Sequence, residues 1–331
     1  MMQNVSGAIL CAGFGTRLAP VTHDIPKPAV PFLSRPLASY ALYAMKFAGI
    51  KNIAANVHYL PDKMRQSLKY HCPEDVRLSF FHEKDEILGT GGGLRELAKC
   101  LPPENTIVLY HGDVLCGLPL AEAIAAHRAS GADVTLVLAT RHPNLTLRGV
   151  FCDATGNIVQ IRNDRAPHFV EPLTEFAFTG IHIIEPKILK ELPETGASCL
   201  VTEIYPKLLR ENRRIHAHIT TAFFADVGTH ERFTDAQARV LEHPEILPAP
   251  TDLSLHDIHI ETGATIQQPV CLNGKIHIAA GASIGPNVCL CGSISCGANA
   301  QLQNVSVFGS GVIDENMKDR VVFLKDDRPS D

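Results

Sequence analysis

Between Cys11 and Pro28 the chain reads CAGFGTRLAPVTHDIPKP, directly after the apolar pair Ile9-Leu10. Gly13 and Gly15 let a backbone turn tightly and present bare N–H groups to an anion. Two cations follow within the same loop, Arg17 and Lys27, the latter held between Pro26 and Pro28. Exposed amides with a planar guanidinium fork and a compact ammonium are suited to holding a polyphosphate. The Walker pattern does not apply, because no Gly-Lys-Ser/Thr follows the glycines. The dinucleotide fingerprint fails as well, since Leu18 stands at its third glycine.

Two carboxylates sit where strands should end. Asp113 follows His111-Gly112, and Asp226 opens Asp226-Val227-Gly228-Thr229. Each is placed to hold a divalent cation against phosphate oxygens, and each could equally be a turn or capping residue. The run Leu88-Gly89-Thr90-Gly91-Gly92-Gly93-Leu94 opens a helix, and by itself reads as a flexible loop with a glycine cap.

The elements that must position these residues are visible as alternating patterns. Short apolar runs at 6–11, 53–57, 77–81, 106–111 and 133–139 alternate with helical spacing at 37–48, 61–70, 91–100 and 120–130. That alternation predicts a mostly parallel sheet flanked by helices, with ligands at the carboxyl ends of its strands. From 149 to 227 the strand-like segments 149–152, 158–161 and 176–184 frame a further helix at 203–211. Residues 243–252, with three prolines, read as a linker between a domain at 1–242 and a second at 253–331. There the period becomes six. Ala264, Val270, Ile276, Ala282, Val288, Ile294 and Ala300 recur with Ile266, Leu272, Ile278, Ile284, Leu290, Cys296 and Leu302 two residues after each. This spacing predicts a hexapeptide-repeat β-helix of about three coils.

Composition narrows the classes. The net charge of −5 argues against a nucleic-acid surface. No apolar run reaches membrane-spanning length, and no signal-like segment opens the chain, so a cytoplasmic chain without membrane contact is expected. The ten cysteines are scattered, several within apolar strand-like runs, as reduced, buried thiols would be.

The string G-x-G-T-R…P-K-P resembles the signature of the sugar-1-phosphate nucleotidylyltransferases. That resemblance implies a Rossmann-like mixed, mostly parallel nucleotidyltransferase domain followed by a left-handed β-helix, acting on a nucleoside triphosphate and a sugar 1-phosphate. It implies that Leu10, Ala12, Gly13, Gly15, Thr16 and Arg17 line the nucleotide's phosphates. Gly89, Thr90, Gly91 and Gly92 would then wall the nucleobase pocket. Arg17, Lys27 and Asp113 become the catalytic group, and Asp113 with Asp226 the ligands of Mg²⁺. Gly149, Glu171, Thr179 and Gly180 correspond to sugar-contacting elements. The L-G-T-x-G spelling looks most like guanylyltransferases acting on mannose- or heptose-type phosphates. A T-G-G-G core also occurs in uridylyltransferases acting on N-acetylmuramate phosphate. Where many members carry Glu-Lys-Pro this chain has Glu171-Pro172, so the usual lysine is missing and Arg162 or Arg165 is the nearest substitute. A silent, nucleotide-sugar-sensing homologue is the alternative from another class, but Arg17, Lys27, Asp113 and Asp226 are all retained.

Two further features have ordinary structural explanations. Cys289, Cys291 and Cys296 suggest zinc, yet the hexad register points Cys296 inward and Cys289 outward. Cys271 with Cys289, and His259 with His277, would stack as repeats ordinarily do in such a coil. An acyltransferase role lacks an acceptor domain, and the short coil is expected to serve a homo-oligomer, with the charged segment 314–331 capping one end.

Overall fold

The computed structural model describes residues 4–140, 149–167, 173–247 and 257–325. It parts into two compact units, residues 1–13 with 38–226 and residues 14–37 with 227–331. The division falls inside the Cys11–Pro28 loop.

The first unit is built on a mixed sheet. Val5–Leu10 lies at its centre, parallel to Asn52–Val57 on one side and to Thr106–His111 on the other, and Arg77–His82 extends the parallel block. A strand flanked on both sides and both faces must be apolar throughout, and Val5, Ala8 and Ile9 are buried accordingly. Next comes the long strand Thr174–Ile184, antiparallel to Thr106–His111. Its first half pairs with Val150–Cys152 and its second with Val134–Ala139. Ile215–Thr220, which has no counterpart among the expected strands, runs parallel to Val134–Ala139. The helices Leu37–Phe47, Pro61–Tyr70, Gly89–Ala98 and Leu120–Ser130 lie within two residues of the expected spans. The helix expected at 203–211 begins as a wide turn, Leu200–Ile204, and becomes α-helical at Tyr205–Arg210. Leu109, Leu136, Leu138, Ile184, Tyr205 and Leu208 belong to the core on one face of the sheet.

In the second unit, successive parallel strands pair at a spacing of one coil. Ile258 is opposite Ile276, Val270 opposite Val288, and Ile276 opposite Ile294. The inward positions read from the hexads form its core, among them Ile284, Val288, Leu290, Ile294, Ala300 and Leu302. The repeat then slips. Ile284 pairs with Leu302, but Val288 pairs with Val305, so one turn is a residue shorter. Asn287 and Asn304 flank that turn with φ of 57° and 52°, a conformation asparagine tolerates better than most residues.

Several expectations change here. Met317–Leu324, within the segment expected to cap one end, is a further parallel strand on Gln301–Ile313. Cys289 points away from the coil core as the register requires, yet it is buried, because Leu33 covers it with its carbonyl 3.7 Å from the thiol. The helix His230–Glu242 packs on the coil, where buried Gln237 donates to the Asn287 carbonyl, to its Oδ1 and to the Val305 carbonyl at 3.1–3.2 Å. No helix among the described residues is long and apolar enough to cross a membrane.

Candidate active site

In the first unit, Gly112 determines where Asp113 can go. The Gly112 N–H donates to the Leu10 carbonyl at 2.9 Å, and a Cβ there would lie 2.8 Å from Cys11 Sγ and 3.0 Å from that carbonyl. Only glycine lets the end of Thr106–His111 cross the end of Val5–Leu10 so closely. Asp113 then leads into Val114–Cys116, which pairs antiparallel with Phe224–Asp226. Val114 and Asp226 are direct partners, so Asp113 and Asp226 stand at adjoining positions at one end of a short ladder. Both are half-buried. Burial, and after it the Asp113 carboxylate, pushes the Cys11 thiol upward. Two carboxylates at one ladder end are hard oxygen donors of the kind a small divalent cation takes.

A buried chain of hydrogen bonds ties the same strand end to the glycine helix. The Cys11 N–H donates to Asn56 Oδ1 at 2.6 Å, and Asn56 Nδ2 donates to Glu83 Oε1 at 2.7 Å. Glu83 Oε2 accepts the Leu88 N–H at 2.9 Å. Asn56 and Glu83 are each 2% exposed. Neither was among the expected site residues. Their one signal is position: Asn56 follows Ile53-Ala54-Ala55, and Glu83 comes directly after the strand Arg77–His82.

The glycines of Gly89–Gly92 have a packing cause. The Gly91 N–H donates to the Ser198 carbonyl at 2.9 Å, Ser198 donates back to Leu88 at 3.0 Å, and the Leu200 N–H reaches Thr90 Oγ1 at 2.8 Å. A Cβ on Gly89 or Gly91 would collide with Ser198, one on Gly92 with the Gly196 carbonyl, and one on Gly93 with Asn56. The run therefore admits the 196–200 segment on one side and the Asn56–Glu83 pair on the other.

Thr179-Gly180 forms an irregularity in Thr174–Ile184, where the pairing shifts between Phe178 and His182. Gly180 has φ 83°, and a Cβ would meet the His111 ring at 3.0 Å. The Thr179 hydroxyl is fully buried and donates to the Val137 carbonyl at 2.8 Å, so it pins the irregularity. Gly149 donates to Glu175 Oε1 at 3.2 Å and accepts from the Arg162 N–H. Arg162 is exposed and Glu171 lies outside the described residues.

In the second unit, Gly15 has φ 67°, and a Cβ would overlap that of Lys27. Lys27 is only 4% exposed, its stem lying on the glycine. Thr22 donates to the Gly15 carbonyl at 3.1 Å, Thr16–Leu18 forms a single turn, and Leu18 is buried beneath it. Thr16 and Arg17 are exposed, and Arg17 forms no ion pair with any described residue. His230 holds this loop to the coil. Its Nε2 donates to the Ala19 carbonyl at 3.0 Å and its Nδ1 accepts the Val321 N–H at 2.9 Å.

Residues 6–243 match the family described as Nucleotidyl transferase. The chain belongs to that family. As a nucleotidyltransferase it is 32% identical over 275 residues to a mannose-1-phosphate guanyltransferase of Eremothecium gossypii, covering 79% of this chain and 73% of that one. It is 28% identical to a mannose-1-phosphate guanylyltransferase of Mycobacterium tuberculosis, over 75% of this chain and 67% of the other. A UTP–glucose-1-phosphate uridylyltransferase of Synechocystis is 29% identical over 66% of this chain and 59% of its own. The crystal structure of HddC from Yersinia pseudotuberculosis shares the nucleotidyltransferase fold, with TM-score 0.58 and 23% identity over 70% of this chain and 97% of that one.

Proposed function

We propose that the chain transfers a nucleoside monophosphate from GTP to a mannose-type sugar 1-phosphate, releasing pyrophosphate and a GDP-sugar. The observation that supports this reading is the pairing of Val114 with Asp226, which brings the backbone of Asp113 and that of Asp226 to one end of the same short ladder. Guanylyltransferases among its relatives support the base and the sugar.

The chemistry needs no side-chain nucleophile. An oxygen of the sugar phosphate attacks the α-phosphorus in line with the departing pyrophosphate, so the protein's task is to hold two polyanions and neutralise moving charge. Asp113 and Asp226 would hold Mg²⁺, which supplies positive charge to the phosphate oxygens when bound. Arg17, an exposed fork, is assigned to the leaving β- and γ-phosphates. Lys27 is assigned to the α-phosphate and the entering sugar phosphate, its position fixed by contact with Gly15. The bare amides from Leu10 to Thr16 cradle the phosphates. Gly89–Gly92 and Thr90 shape the base pocket through the 196–200 segment packed on them. Gly149, Thr179 and Gly180 position backbone for the sugar, with Glu171 as a direct contact. The coil is assigned to a homo-oligomer interface, which light scattering of the full chain tests.

Pyrophosphate release should be measured for a panel of triphosphates against several sugar 1-phosphates. GTP with mannose 1-phosphate should be the fastest pair. A tenfold or greater preference for UTP would replace the guanylyl reading with a uridylyl one, and silence with every pair would support a sensing role.

A further inference from the structure

We infer that His259, Glu261 and His277 form a binding site for one zinc ion on the end rung of the coil. His259 on Ile258–Ile260 is the direct parallel partner of His277 on Val270–Ile278. Their rings stack with centroids 5.4 Å apart and planes 11° from parallel. Two stacked histidines alone would be ordinary in a repeat. Glu261 changes their meaning. Its Oε1 is hydrogen-bonded to His277 Nε2 at 2.9 Å, and its Oε2 accepts the Ala280 N–H at 2.9 Å. The carboxylate is thereby aimed at the imidazoles from one side and fixed by a backbone amide on the other. One ligand atom from each of the three residues lies within 4.8 Å of the other two.

The donor set decides the ion. Two imidazoles and a carboxylate leave one open position, the composition of zinc sites that keep a water. Imidazole disfavours Mg²⁺ and Ca²⁺, so the ion proposed for Asp113 and Asp226 would not compete here. The amide on Oε2 is an outer support of the kind that orients metal ligands. On binding, zinc takes the place of the hydrogen between His277 Nε2 and Glu261 Oε1, which passes to solvent.

The site's place suggests its use. Among the described residues, Ile258–Ile260 is the outermost strand of this sheet and pairs on one side only. A metal shared between it and Val270–Ile278 would staple the open end of the coil, where an unpaired strand is weakest. The inference does not depend on the reaction proposed above.

The test is titration of the full chain, stripped of metal and kept in Mg²⁺, with ZnCl₂ by calorimetry, together with its melting temperature. Exposed Cys100 is a competing soft ligand, so Cys100→Ser serves as a control. One equivalent should bind and raise the melting temperature, and Cys100→Ser should retain both effects. His277→Gln and His259→Gln should each weaken binding by about tenfold or more and remove the thermal gain. Both are surface changes, and His259→Gln leaves the Glu261–His277 bond in place. Wild-type zinc affinity and thermal gain in both histidine variants would overturn the site, as would no uptake by the unaltered chain at micromolar zinc.

Discussion

Asn56 donates to Glu83 at 2.7 Å in a site closed to water, and through them the end of the first strand is joined to the start of the glycine helix. Removing the carboxylate leaves the Asn56 amide and the Leu88 N–H without an acceptor. An unmet buried donor costs about 1–3 kcal/mol. Glu83→Ala should therefore lower stability in denaturant melts by that order. Glu83→Gln, which retains a single acceptor oxygen, should lose less. Equal stability of Glu83→Ala and wild type would remove the network from any structural role.

Gly91 is fitted against Ser198, so a side chain there acts on the fold as well as on any base pocket. Gly91→Val should lower the melting temperature and raise the KM for the triphosphate together. Trimming Ser198 to alanine should recover part of the loss from Gly91→Ala, a coupling that a double-mutant cycle reads directly. Additive losses would show that the two residues do not meet.

Stability should depend on pH through His182. It is wholly buried and shares a 2.6 Å hydrogen bond with the Tyr205 hydroxyl. Burial, then the neighbouring His111, holds its pKa well below the usual histidine range. The unfolded chain thus binds more protons than the native one below about pH 6.5, and stability present above that pH is lost as pH falls through it. The loss should approach about 1.4 kcal/mol per pH unit for this one group. Urea melts between about pH 7 and pH 5 should show a shallower slope in His182→Gln. An unchanged slope would assign the acid sensitivity to other groups.

His230 bridges Ala19 and Val321 with its two ring nitrogens. His230→Ala should raise the KM for the triphosphate several-fold more than that for the sugar phosphate, because Arg17 sits two residues before Ala19. For the same reason a chain ending at residue 247 should lose triphosphate binding, measured by calorimetry. Unimpaired binding by the shortened chain would show that the loop stands without the coil.

Much of this was legible because its signals are local. The alternating runs, the helical spacing and the six-residue period each follow from neighbours in sequence, and the helices and the coil's inward residues were found where those patterns placed them. Asp113 and Asp226 could be picked out by type and position after their strands. Their adjacency could not, because it depends on a three-residue pairing between distant segments, each too short to show a period. Ser198 against Gly91, and Leu33 over Cys289, are likewise long-range contacts with no local mark. The one-residue slip between Leu302 and Val305 lies past the last regular hexad position, Leu302, where the six-residue period no longer marks the chain.

The most direct test of the account is pyrophosphate release from GTP and mannose 1-phosphate by wild type, Asp113→Asn and Asp226→Asn, with melting temperatures taken alongside. If the two carboxylates hold one Mg²⁺, EDTA should abolish wild-type turnover and Mg²⁺ restore it. Each substitution should cost on the order of a hundredfold or more in rate, about 2–4 kcal/mol in the barrier, with little change in melting temperature. Near wild-type turnover in either variant would contradict the shared site.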